Sequence, residues 1–127
     1  MVSVSIEGVT KRFGETQVLH GIDAQIDDGD FAVLVGPSGC GKSTLLRLIA
    51  GLEEVTTGVI RFANRDVTHL APRERDIAMV FQSYALYPHM KVRDNLAFGL
   101  RLRKTDASTI ERRLEEVAKS LDIAHLL

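Results

Sequence analysis

Residues 36–43 read GPSGCGKS and are followed by Thr44 and a leucine-rich stretch. A turn needs fewer glycines than this, and a helix start needs one capping residue. The spacing is that of G-x-x-x-x-G-K-[ST], and it suits the binding of phosphates. Gly39 and Gly41 permit backbone conformations that aim successive N–H groups inward, which makes an anion-binding concavity. A helix opening at Lys42 brings unpaired N–H groups and a partial positive charge to the same place. Lys42 adds a full charge for the terminal phosphates, and Thr44 can reach an inner one. The Ser43 hydroxyl is a hard oxygen ligand of the kind Mg²⁺ prefers. Gly36, Pro37, Ser38 and Cys40 complete the loop. The expected ligand is a nucleoside triphosphate with its Mg²⁺.

Such a loop needs a strand before it and a helix after it. "FAVLVG" (31–36) is short and continuously apolar, which predicts a strand buried on both faces. Lys42 to Ala50 reads as the helix, with Gly51 suited to the left-handed position past its end. Upstream, "VSVSIEGV" and "VLHGIDAQI" alternate apolar and polar residues as half-buried strands do. "GVIRFAN" is a further strand candidate, and "DIAMVF" a further buried one. Val92 to Arg103 is predicted helical. Asp106 to Leu121 is the clearest amphipathic helix, with Ile110, Leu114, Val117, Ala118 and Leu121 on one stripe. Ser108 and Glu111 could form a capping box at its start, with Asp106 as a rival cap. Arg112–Glu116 and Glu115–Lys119 are favourable pairs on its wet face.

Composition sets the outer bounds. The chain has 127 residues, is 45% hydrophobic and 26% charged, and carries a formal net charge of −1. It can build a core, and it has no bulk attraction to nucleic acid or to an anionic surface. No apolar run approaches the ~18 residues that span a bilayer. The start lacks the pattern of a signal peptide, and the single cysteine cannot form an internal disulfide. These features predict a soluble cytoplasmic protein. His20, His69, His89 and His125 show no metal-ligand spacing. Glu53–Glu54 and Arg101, Arg103 and Lys104 read as solvated charge.

A phosphate loop alone does not identify the machine it serves. The N-K-x-D base reader and D-x-x-G switch of GTPases are absent from the sequence. A small-molecule kinase usually begins with its loop strand, whereas here some thirty residues of strand-like sequence come first. Over its whole length the chain resembles the N-terminal part of an ABC transporter ATPase. "VTKRFGETQVLHGIDAQIDDGDFAVLVGPSGCGKSTLLRLIAGLEEVTTGVI" is similar to the family's opening. "APRERDIAMVFQSYALYPHMKVRDNLAFGL" resembles the branch serving bacterial sugar and glycerol-3-phosphate importers.

The resemblance implies an α/β fold, the N-terminal part of the P-loop ATPase core, with ATP and Mg²⁺ as ligands. Residues 1–90 would be core with phosphate loop and Q-loop, and residues 91–127 the start of a helical subdomain. Phe13 matches the aromatic residue that stacks on adenine; on sequence alone, a strand-end core aromatic is the alternative. Val18 matches an apolar residue beside the base, with core packing as the alternative. Gln82 matches the Q-loop glutamine, which ligates Mg²⁺ and approaches the attacking water. With Lys42 it forms the catalytic assignment. Independently, ligands of open α/β sheets sit beyond the carboxyl ends of strands, where Gln82 is expected. Tyr84, Tyr87 and Pro88 lie in the segment, up to Met90, that leads to the groove for a membrane permease subunit; local packing is the bland alternative.

The family's L-S-G-G-Q-like signature and an apolar strand ending Asp-Glu do not occur in these residues. The expectation is therefore a fragment that binds nucleotide but lacks the general base, with an open or covered sheet edge beside "FAVLVG". By the resemblance, the parent is an ATPase that works as a homodimer on the inner face of the membrane. The alternative is a nucleotide-binding or structural module without turnover.

Overall fold

The computed structural model describes residues 2–127. Two compact units divide the chain, Met1–Met79 and Val80–Leu127.

In the first unit, β1 (Val4–Phe13), β2 (Thr16–Ile26), β3 (Thr57–Phe62) and the short β4 (Arg65–Asp66) form one antiparallel sheet in the order β2-β1-β3-β4. Helix α1 (Lys42–Ala50) packs on it through Leu45 and Leu48, which meet Ile6, Val9, Leu19, Ile60, Phe62 and Val67 in a single core. The two strand expectations built on alternation hold, as does the further candidate at "GVIRFAN", and α1 has the limits that its pattern predicts.

Strand β1 is not a regular strand. Ile6 faces Ala24 and Val9 faces Ile22, so three steps along β1 match two along β2. Against β3 the same excess appears between Glu7 and Thr10. An extra residue in one strand changes which positions face the core. Ile6 is buried on one side of this bulge; Val9 and Lys11 are buried on the other. The bulge thus turns a charged side chain inward at Lys11.

Two expected strands do not form. Residues 31–35 have no sheet pairing, and Phe31, Val33 and Val35 are 93%, 64% and 89% exposed. Residues 77–81 likewise form no strand, and Val80 is 94% exposed. A strand buried on both faces exists only between pairing neighbours. The sheet of the described residues closes around β2, β1, β3 and β4 and offers these segments none.

In the second unit, α2 (Val92–Leu102) packs against α3 (Ala107–Ser120) around Ala97, Ile110 and Leu114, flanked by Leu96 and Leu100. Ala118 is buried as its stripe predicts, but Val117 and Leu121 are exposed. The cap of α3 is Asp106 rather than the Ser108–Glu111 box. Its carboxylate accepts from Thr109 N at 2.9 Å and from the Ser108 hydroxyl at 2.6 Å. Those donors, Ser108 first, hold the Asp106 carboxyl well below the usual carboxylate range. The contribution is present above the unfolded-state pKa and is lost as pH falls through the depressed folded value, so the cap survives mild acid. Glu111 instead pairs with Arg93 of α2, and Arg112 pairs with Glu116 at 2.9 Å.

Candidate functional site

The loop before α1 folds on itself. Cys40 N donates to Pro37 O at 3.3 Å, and Gly39 has φ of 78°. At Gly41 the chain passes into the helix with φ of 97° and ψ of 7°. Two constraints converge on that glycine. An L side chain rarely adopts this φ, and a Cβ there would lie 2.6 Å from Leu19 Cδ2 and 3.4 Å from Val18 Cγ1. Strand β2 therefore sets the position of the loop's end. No side chain caps α1, so the N–H groups of its first turn remain for an external anion.

A concavity of about 430 Å³ opens here, lined by Val18, Ser38, Gly39, Gly41, Lys42, Ser43 and Thr44. Lys42 Nζ turns back over the loop and donates to Gly36 O at 2.6 Å and Pro37 O at 2.7 Å, with Cys40 Sγ at 3.5 Å. The ammonium thus sits on the rim with its donors on carbonyls that an incoming phosphate can replace. The Ser43 hydroxyl on the wall is the kind of oxygen Mg²⁺ takes alongside phosphate oxygens and water, so the donor set fits that ion.

The remaining sequence candidates are placed as follows. Phe13 ends β1 and is 47% exposed, which removes it from the core. Lys11 Nζ stands 4.8 Å from its ring centroid. Val18 lines the concavity and also packs against the core cluster, so both of its readings hold. Gln82 belongs to the second unit, in an exposed turn. The segment after it is exposed through His89. Tyr84 has φ of 63° and is 83% exposed, while Tyr87 packs on Phe98 with centroids 4.8 Å apart.

Three residues carry structural work that sequence reading passed over. Arg75 is 5% exposed and donates to four backbone carbonyls. They are Leu48 O at 2.8 Å and Ile49 O at 3.0 Å at the end of α1, Leu70 O at 2.8 Å and Thr68 O at 3.1 Å. Nothing in "APRERD" separates Arg75 from its charged neighbours. Asn95 clamps the turn before α2: its Oδ1 accepts from Tyr87 N at 2.9 Å, and its Nδ2 donates to Tyr87 O at 3.1 Å. Lys11 is the third. Its partner is Glu53, whose side chain was expected to be merely solvated. The two groups lie 2.8 Å apart, and the Lys11 hydrogen bond holds the Glu53 carboxyl below its ordinary value. A glycine inside an alternating strand, Gly8, was the available signal for the bulge that buries Lys11.

A family model described as ABC transporter matches residues 19–127. The chain belongs to the ABC transporter family. It is 56% identical over 127 residues to the sn-glycerol-3-phosphate import ATP-binding protein UgpC of Ruegeria sp. (strain TM1040), covering all of this chain and 36% of that protein. The UgpC protein of Cereibacter sphaeroides is 55% identical with the same coverage. This ABC transporter chain therefore spans about a third of the length of the curated relatives it matches. Among solved structures, an ATP-binding cassette of an ABC transporter aligns with TM-score 0.79 and 27% identity, over 99% of this chain and 56% of that one. The ADP conformation of an ATP-binding cassette aligns with TM-score 0.73. The mixed α/β architecture with an antiparallel sheet is thus that of the N-terminal part of such a cassette. Among the described residues, no helix is long and apolar enough to cross a membrane.

The exposed Cys40 thiol gives the loop a direct chemical probe. If the loop that carries Cys40 wraps the phosphates, a thiol reagent on Cys40 is expected to block nucleotide binding, and ATP to protect the thiol. Mass-spectrometric modification rates with and without ATP measure this. Equal rates count against placing the phosphates here.

Proposed function

We propose that the chain is the N-terminal, nucleotide-binding part of an ATP-binding subunit that couples ATP binding and hydrolysis to import of a small solute through membrane permease subunits. The observation that carries the reading is the phosphate cradle: an uncapped helix start, a φ-positive Gly41 and the Lys42 ammonium around one concavity. The likeness to sn-glycerol-3-phosphate import proteins over the whole chain favours glycerol-3-phosphate, or a sugar, as the solute.

In this reading Gly36–Thr44 hold the phosphates. Lys42 exchanges the carbonyls of Gly36 and Pro37 for phosphate oxygens. The Mg²⁺ that accompanies ATP would neutralise phosphate charge, with Ser43 as its ligand on this wall; Gln82 keeps the ligand role that its match to the family's Q-loop glutamine suggests. Phe13 offers the base a ring face, and Val18 lies beside it. Residues 91–127 begin a helical subdomain. The exposed Tyr84–Met90 segment meets the permease, and Asn95 fixes its far end. The subunit works as a pair at the inner face of the membrane.

The direct test is titration of the purified protein with ATP in the presence of Mg²⁺ and then of a chelator. Saturable binding, strengthened by Mg²⁺, is expected; its absence sinks the proposal. Phosphate release separates a working ATPase from a module that only binds. For the base platform, Phe13→Ala is expected to weaken ATP binding by roughly 1–3 kcal/mol, the usual value of one stacked base. An unchanged dissociation constant would remove Phe13 from the site.

A further inference from the structure

We propose that Lys11 is a positioning residue for nucleotide recognition: it holds one face of the Phe13 ring, leaves the other for the base, and ties this platform to the end of α1. The proposal rests on the reading of Phe13 as the base platform. Lysine is among the residues least often buried without a partner, yet Lys11 is 8% exposed. Its ammonium donates to Glu53 Oε1 at 2.8 Å and to Glu54 O at 2.6 Å. Both acceptors lie just beyond α1, the helix whose other end forms the phosphate cradle. The same ammonium stands 4.8 Å from the Phe13 centroid, within the range of a cation–π contact.

The arrangement follows from the strand. Residues 11 and 13 are two apart and share a face, and the bulge between Ile6 and Val9 is what turns Lys11 inward. A ring held from behind loses less side-chain freedom when a base stacks on its front. Because the cation is anchored on residues 53 and 54, base platform and phosphate cradle are joined through the two ends of one helix. Lys11 is therefore expected to matter for the base and not for the phosphates.

Binding of ATP and of inorganic tripolyphosphate, each with Mg²⁺, tests this in the native protein and in Lys11→Met, Lys11→Arg and Phe13→Ala. Lys11→Met is expected to weaken ATP binding about two- to fivefold and to leave tripolyphosphate binding unchanged. Lys11→Arg, which keeps a cation able to stack, recovers most of the ATP affinity. Phe13→Ala weakens ATP alone, by about tenfold. If Phe13→Ala moves ATP alone while Lys11→Met moves neither ligand, or both equally, the positioning role is overturned. If Phe13→Ala moves neither, the base-platform reading falls first. Should Lys11→Met fail to fold, Glu53→Gln carries the test. It removes the negative charge that anchors the ammonium while the bond to Glu54 O stays, and a selective loss of ATP affinity is expected; an unchanged ATP affinity overturns the proposal.

Discussion

Lys42→Ala is expected to weaken binding of ATP with Mg²⁺ by roughly 1.5–3 kcal/mol, about ten- to a hundredfold, the range for hydrogen bonds to a charged group. The ammonium sits on the rim of the cradle, and its donors rest on the Gly36 and Pro37 carbonyls. In the proposed reading, phosphate oxygens replace these neutral carbonyl acceptors, so that both donor and acceptor carry charge. The alanine variant retains the glycines, the free helix start and Ser43, so the loss isolates the lysine. Thermal stability is expected to change little, because the lysine contacts are exposed ones between a side chain and its own loop. Calorimetric titration of both proteins decides the matter. Equal affinities would remove Lys42 from the site and leave the cradle without its cation.

Arg75→Ala is expected to lower folding stability by roughly 2–4 kcal/mol, because carbonyls inside the fold lose their donor. One guanidinium reaches four carbonyls, two of them at the end of α1. The site is also shaped around it: a Cβ at Gly51, whose φ is 74°, would lie 2.6 Å from Arg75 Nε. Lysine is not expected to rescue, since its single nitrogen cannot span acceptors laid out for a planar fork. Urea denaturation measures this. A midpoint within experimental error of the native protein, at equal slope, would show that the four contacts contribute nothing net.

Local rules made much of this molecule legible. Lys42 to Ala50 could be delimited because a glycine stands just outside each end and apolar residues repeat between them. The loop was legible because its chemistry is carried by residue types at fixed spacing. What resisted was whatever depends on a partner remote in sequence. "FAVLVG" and "DIAMVF" have the composition of buried strands, yet pairing and not composition makes a strand, and neither segment pairs here. Asp106 and Ser108 were rival caps of similar propensity. The geometry favours Asp106, which takes both donors, while Glu111 is drawn away to Arg93. Arg75 and Lys11 looked like any surface cation in a charged chain. Their burial follows from carbonyls and a carboxylate that lie between 5 and 43 residues away.

The bulge in β1 makes the strand a phase-shifting device. Upstream of it the inward positions are even-numbered, as at Ile6; downstream they are odd-numbered, as at Val9 and Lys11. Side-chain identity and chain length are therefore under separate constraints in this segment. Exchange of one exposed residue for another leaves the phase intact. Loss of the one extra residue between Ile6 and Val9 would bring two steps of β1 against two of β2, and regular alternation would keep Val9 and Lys11 facing inward. Lys11 and Phe13 would turn over together only after a one-residue change of length that no bulge absorbs. Among diverging copies of such a chain, one-residue changes of length should collect at this bulge rather than in the regularly paired residues on either side of it.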